Sequence, residues 1–135
     1  MKIKETSASF VCLSLWNNNF QGTIPHELGR LSRLRVLDLG YNKFIGVIPS
    51  NLSGCSDMEK LGLHDNKLVG SIPKDISFLS KLTNFLFASN NLTCGIPLVL
   101  GNIPAMEVFF ATKNPLGGSI PDTLGHWKKR SFSIL

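Results

Sequence analysis

The sequence predicts an α/β solenoid, with a curved parallel β-sheet on its concave side and short 3-10 or irregular segments returning over its convex side. Three observations predict it. Isoleucine–proline pairs recur at a fixed step of 24 residues, at Ile24-Pro25, Ile48-Pro49, Ile72-Pro73, Ile96-Pro97 and Ile120-Pro121. Asparagine keeps the same step at Asn18, Asn42, Asn66, Asn90 and Asn114. Apolar residues alternate ahead of each asparagine, as in Leu34-x-x-Leu37-x-Leu39-x-x-Asn42-x-Phe44 and Met58-x-x-Leu61-x-Leu63-x-x-Asn66-x-Leu68. Self-similarity at one period is the signature of a stacked repeat array.

Each part of the unit has a physical reason. Alternation at Leu37/Leu39 and Leu61/Leu63 puts those side chains on the buried face of a short strand. One copy cannot bury its own apolar side, so copies stack into a continuous core, with neighbouring strands about 4.8 Å apart. Where the strand ends and the chain turns inward, backbone groups lose their ladder partners. A buried side-chain amide supplies both donors and an acceptor, which makes the asparagine column a structural ladder between copies. Glycine recurs at Gly22, Gly46, Gly70 and Gly118, with Cys94 the exception, and suits a crowded or positive-φ backbone position. The proline stiffens the convex return.

The organisation that follows is an irregular leader over 1–9, five repeats over 10–127, and a frayed basic tail or the start of a broken sixth repeat over 128–135. Arg130 falls in the column of Phe10, Leu34, Met58, Leu82 and Met106, where the pattern breaks. No polar capping repeat is evident at either end, so both ends should expose core. The first residues only faintly suggest a signal peptide: Glu5 interrupts them and no small-residue cleavage site precedes Asn17. Phe10 to Trp16 reads instead as a strand.

Composition narrows the function. Of 135 residues, 43% are hydrophobic, enough for a core, and the formal charge of +5 comes from 14 basic and 9 acidic side chains. No apolar run approaches the ~18–20 residues of a membrane span. The three cysteines, Cys12, Cys55 and Cys94, have neither the number nor the spacing of a disulfide scaffold or zinc site, and stacking should keep each pair apart as free thiols. His26, His64 and His126 occupy different columns, so no metal site is expected. There is no phosphate loop, G-x-S-x-G or H-E-x-x-H. No catalytic residue, cofactor or metal is therefore expected. Lys128-Lys129-Arg130 lacks interleaved aromatics and reads as a solvated tail rather than a nucleic-acid patch.

The informative surface is the concave one. Outward strand positions form one column of Ser14, Asp38, Gly62, Leu86 and Phe110, and a second of Trp16, Gly40, His64, Ala88 and Thr112. Beside these runs Asn17, Tyr41, Asp65, Ser89 and Lys113. Aromatic anchors with charged neighbours suit a protein or peptide interface, so the candidate ligand-binding residues are Trp16, Asp38, Tyr41, His64, Asp65, Leu86, Phe110 and Lys113. The competing reading is that Leu86 and Phe110 touch across adjacent strands and only stabilise the sheet. Two N-x-S/T sequons, at Asn51 and Asn91, are candidate glycosylation sites.

The unit Leu-x-Leu-x-x-Asn-x-Leu-x-Gly-x-Ile-Pro, followed by Leu-Gly-x-Leu as in Leu28-Gly29-Arg30-Leu31, closely resembles the plant-specific leucine-rich repeat over about residues 10–127. Segments such as Leu37-Asp38-Leu39-Gly40-Tyr41-Asn42-Lys43-Phe44 and Asn114-Pro115-Leu116-Gly117-Gly118-Ser119-Ile120-Pro121 are similar to ectodomains of plant leucine-rich-repeat receptor-like serine/threonine kinases. They are most similar to the subgroup that includes immune receptors for microbial patterns. The resemblance implies an extracellular array at the plasma membrane that binds a peptide or protein and recruits a co-receptor, ahead of a transmembrane helix and a kinase. This chain has no kinase motif, no membrane span and no cysteine-paired cap, and has fewer repeats than is usual. It is therefore expected to be a non-catalytic recognition fragment. The alternatives are a secreted inhibitor of a cell-wall-degrading enzyme and an inactive truncated product.

Overall fold

The computed structural model describes residues 11–127 and, for the backbone alone, 131–133. The leader expected over 1–9 and the run Lys128-Lys129-Arg130 lie outside the described residues.

Each copy opens with a three-residue strand. β1 (Cys12–Ser14), β3 (Val36–Asp38), β5 (Lys60–Gly62), β7 (Asn84–Leu86), β9 (Val108–Phe110) and β10 (Ser131–Ser133) form one parallel sheet in that order. The first five keep the 24-residue step, pairing Leu13 with Leu37, Leu37 with Leu61, Leu61 with Phe85 and Phe85 with Phe109. The last pairing sets Phe109 against Phe132, one residue short of the period. Trp127 still keeps the column of Leu31, Cys55, Leu79 and Ile103, so the missing residue falls between Trp127 and Ser131. A fixed 24-residue reading runs out at Arg130 for that reason, while the sheet itself continues.

Over the convex side, 3-10 segments span His26–Arg30, Ser50–Gly54, Lys74–Phe78, Leu98–Asn102 and Asp122–His126. Each starts after the proline of an Ile-Pro pair, whose φ of −60° to −67° is what its ring enforces. The proline carbonyl accepts the N–H of Leu28, Leu52, Ile76, Leu100 or Leu124 at 3.1–3.2 Å. That turn drives the same five side chains inward, to 0–2% exposure.

The flank holds an element that the alternation does not reveal. β2 (Gln21–Thr23) pairs with β4 (Lys43–Ile45), and β6 (Val69–Ser71) with β8 (Asn91–Thr93), all in parallel. The Lys67 and Val69 N–H groups donate to the Phe44 and Gly46 carbonyls at 2.8 and 2.9 Å, which joins the two pairs into one ribbon. These strands are short, and only the stacking of successive copies supplies their partners.

The core runs between sheet and convex returns. Leu37, Leu39, Leu61 and Leu63 are fully buried, as are Phe44 and Leu68, each side chain contributing roughly 1.5–3 kcal/mol. In later copies aromatics take over: Phe87 lies 4.5 Å from Phe85 and 5.2 Å from Phe109, and Trp127 lies 5.1 Å from Phe109, by ring centroids. At the other end Leu13, Leu15 and Phe20 are only partly buried, whereas their counterparts Leu37, Leu39 and Phe44 are sealed by a neighbour on each side.

The asparagines stitch copy to copy. Asn42, Asn66, Asn90 and Asn114 each donate Nδ2 to a carbonyl 27 residues earlier, on Leu15, Leu39, Leu63 and Phe87, at 2.8–2.9 Å. Each Oδ1 accepts a backbone N–H 22 residues earlier, from Phe20, Phe44, Leu68 and Leu92, at 3.0–3.1 Å. Among the described residues, the Asn18 side chain bonds only to the Leu15 and Trp16 carbonyls of its own turn.

Candidate functional site

Two features of the repeat build the concave surface. Strand alternation turns residues on either side of the buried Leu37 column outward. At the end of each strand the chain enters the left-handed region, at Asn17, Tyr41, Asp65, Ser89 and Lys113, with φ between 54° and 58°. That bend lifts the third column along the rim of the sheet. Asn and Asp adopt this conformation at low cost, whereas a tyrosine is held there against its preference.

The structure sorts the candidate residues into groups. Trp16, Tyr41 and His64 come together: the Tyr41 ring stands edge-on to Trp16 at 5.6 Å and to His64 at 5.3 Å, by centroids. Trp16 and Tyr41 stay 49% and 48% exposed. The missing side chain at Gly40 permits this row, because a Cβ there would stand 2.5 Å from the His64 ring. Leu86 and Phe110 form a second, apolar group as direct register partners on β7 and β9. Leu86 is half-buried and Phe110 exposed.

Asp38 is placed differently. It faces the concave side but is only 8% exposed. Its Oδ1 accepts the Gly40 N–H at 3.0 Å and its Oδ2 pairs with Lys60 Nζ at 3.3 Å. The carboxylate also leans over Gly62, where a Cβ would stand 2.8 Å from Oδ1. Asp38 is thus the floor of the face, satisfied within the chain. Asp65 is half-buried and Lys113 exposed along the rim.

One concave column had no place in the sequence reading. Cys12, Val36, Lys60, Asn84 and Val108 lie on the strands two residues before the Ser14 column and share its face. The signal was present, since alternation about Leu37 points both its neighbours outward. Beyond this column the edge is charged: Arg35 pairs with Glu59, and Lys81 with Asp57 at 2.8 Å. The hydrogen bonds from Arg35 and Lys81 hold the Glu59 and Asp57 carboxyls below their ordinary values. These exposed pairs order side chains more than they add stability.

The sequons lie elsewhere. Asn51 is exposed in a convex 3-10 segment, and Asn91 is exposed on β8 of the flanking ribbon. His26 pairs with Glu27 at 3.0 Å on the convex side. Among the described residues, no three His, Cys, Asp or Glu side chains gather to hold a metal, and no helix is long and apolar enough to cross a membrane.

Known proteins supply a frame for this geometry. Residues 11–68 match the leucine rich repeat family model. No curated protein sequence matches the chain. Among solved structures, the ectodomain of GASSHO1/SCHENGEN3 from Arabidopsis thaliana, in complex with CASPARIAN STRIP INTEGRITY FACTOR 2, is similar at 29% identity and a TM-score of 0.91. That match covers 95% of this chain and 16% of that one. The Arabidopsis receptor kinase HAESA, in complex with the peptide hormone IDA and the co-receptor SERK1, is similar at 31% identity and a TM-score of 0.89, covering 93% and 21%. The SOBIR1 ectodomain from Arabidopsis thaliana is similar at 30% identity and a TM-score of 0.83, covering 89% and 66%. The chain spans about a fifth or less of the first two and about two thirds of the third. Its 135 residues carry no kinase motif. The chain is a plant-type leucine-rich-repeat solenoid, similar along nearly its whole length to ectodomain segments of plant receptor kinases.

Proposed function

We propose that this chain is a ligand-recognition segment of a receptor-kinase ectodomain and binds an extended peptide or protein segment on its concave face. The carrying observation is the row Trp16–Tyr41–His64, three rings in edge-to-face contact with two of them half exposed. Large rings held in place lose little entropy on binding and are the usual anchors of an interface. Tyr41 supports the reading further: it occupies a left-handed bend that Asn17 and Asp65 fill more cheaply, and local strain of this kind concentrates at binding sites. The Asp38–Lys60 floor and the Leu86–Phe110 pair then offer a polar and an apolar subsite in sequence along the face. Asp65 and Lys113 border it.

The wider setting comes from the similar structures, which include complexes with a peptide hormone and a co-receptor. By that likeness the segment works on the extracellular face of the plasma membrane and cooperates with a co-receptor. The subgroup of immune receptors for microbial patterns is supported by the motif resemblance, and glycosylation by the two exposed sequons.

The test is a titration of the ligand against the parent ectodomain carrying Tyr41→Ala with Phe110→Ala, beside a convex control of Lys74→Ala with Asp122→Ala. Variants are first matched for unfolding midpoint. The concave pair should weaken binding at least tenfold, about 1.4 kcal/mol, and the convex pair should leave it unchanged. Weakening by the convex pair alone would place the ligand on the other side. No effect from either would make these copies scaffold.

A further inference from the structure

Away from the concave face, the ribbon exposes three β-branched apolar side chains. Ile45, Val47 and Val69 are 48%, 57% and 40% exposed, while the alternate residues Phe44 and Leu68 are fully buried. Val69 on β6 lies beside Val47, which follows β4, and the Val69 N–H bond to the Gly46 carbonyl joins them. They are in close register, because a Cβ on Gly70 would stand 3.0 Å from Val47 Cγ1. The corresponding positions are polar before the patch, at Gln21 and Thr23, and after it, at Ser71 and Thr93. A contiguous apolar patch on a rigid ribbon is a site that something covers.

The nearest group able to cover it belongs to the chain itself. Asn91, in the sequon Asn91-Leu92-Thr93, is the direct register partner of Val69, one strand spacing of about 5 Å away, with Val47 about 10 Å away. The sequon is extended, so Asn91 and Thr93 share the outward face while Leu92 is fully buried and donates its N–H to Asn114 Oδ1 at 3.1 Å. The Asn91 amide has no side-chain partner among the described residues, and β8 is the last strand of the ribbon, followed by the Asn114–Gly117 turn of the next copy, whose Leu116 carbonyl accepts the Gly95 N–H at 2.7 Å. Asn51 has different surroundings: its sequon winds through a 3-10 segment, and the adjacent copies present Glu27 and Asp75 in its column. A second copy of the chain is a poor occupant of the patch. Lys43 and Lys67 flank Ile45 without ion-pair partners among the described residues, and two such faces together would oppose four ammonium groups.

We propose that Asn91 carries an N-linked glycan whose first sugars lie over Val69 and Val47 and cover the apolar flank. The bond formed joins Asn91 Nδ2 to the anomeric carbon of a glycosyl-diphosphate donor. The anomeric C–O bond breaks, the diphosphate leaves with its electron pair, and the amide gives up one proton. The C–H face of a pyranose ring then packs on the valine methyls. This rests on the extracellular reading above, because the modification requires export. It does not depend on any ligand of the concave face.

The test uses the full chain secreted from a eukaryotic cell. Glycopeptide mass spectrometry should find Asn91 occupied. Asn91→Gln should lower the unfolding midpoint by about 3 °C and raise binding of an apolar dye. In a Val47→Ser, Val69→Ser background, whose changes are confined to exposed side chains, the same Asn91→Gln change should shift neither. An unmodified Asn91 overturns the inference, and sugar on Asn51 alone would do so while leaving the extracellular reading intact. An equal shift in both backgrounds also overturns it, since the glycan would then act without the valines. So would a glycosylated chain that still dimerises through Val47 and Val69 in sedimentation.

Discussion

Asn66→Ala should be among the most damaging single changes to the ladder, and its cost can be worked from the bonds it removes. Its Oδ1 accepts the Phe44 N–H at 3.0 Å, and its Nδ2 donates to Leu39 O at 2.9 Å. Weaker contacts reach Leu63 and His64 carbonyls at 3.2 Å. The first two cross to the preceding copy, where alanine would orphan the Phe44 N–H, while Leu39 O would keep the bond it accepts from Asn42 Nδ2 at 3.0 Å. Each orphaned buried group costs about 1–3 kcal/mol. Water admitted to a half-buried site recovers part of that, and the lost second bond to Leu39 O adds a little, so the expected loss is about 1–3 kcal/mol in total. Asn18 is the internal control: it is the same residue in the same column, but it is exposed and, among the described residues, its side chain bonds only within its own turn. Asn18→Ala should cost about 0.5 kcal/mol or less. Urea unfolding followed by far-UV circular dichroism measures both, with unchanged m-values confirming that the midpoint shift is a stability change. Equal losses at Asn66 and Asn18 would refute the argument that the inter-copy bonds carry the energy.

Further outcomes follow from other single residues. Cys94 occupies the glycine column at a φ of 67°, so Cys94→Gly should stabilise the chain by about 1 kcal/mol in the same assay. A Cβ on Gly29 would collide with the Asn51 carbonyl of the next copy, whereas one on Gly125 would meet nothing among the described residues. Gly29→Ala should therefore cost about 2–3 kcal/mol, and Gly125→Ala should stay within about 0.5 kcal/mol. The three cysteines are free. Cys12 and Cys94 are exposed and should react promptly with a thiol reagent, while Cys55 should react only on unfolding. Burial pushes the Cys55 thiol from 9.0 up to about 11. The unfolded chain therefore ionises it first, and its contribution to stability should be lost as pH rises from about 9 to about 11. A stability curve flat across that window would contradict the burial.

The solenoid was legible in the sequence because its determinants are local and repeated. The Leu37/Leu39 alternation, the Asn66 column and the Ile-Pro pairs each state one physical requirement five times over, and stacking is the only way for such units to bury their apolar sides. The aromatic and charged character of the concave columns was also legible, as was the outward placement of Tyr41 and Phe110. What the tertiary structure decided depends on relations between copies. Asp38 lies at the floor of the face because Lys60 and Gly62 of the next copy give its carboxylate a partner and the space to lean into. Trp16 and His64 from one column and Tyr41 from the next became one row because Gly40 leaves room for the imidazole. The flanking ribbon exists only through hydrogen bonds between strands of adjacent copies, which no single repeat encodes. The one-residue contraction after Trp127 was hidden from a fixed period, because spatial register is set by the core and the sheet rather than by residue count.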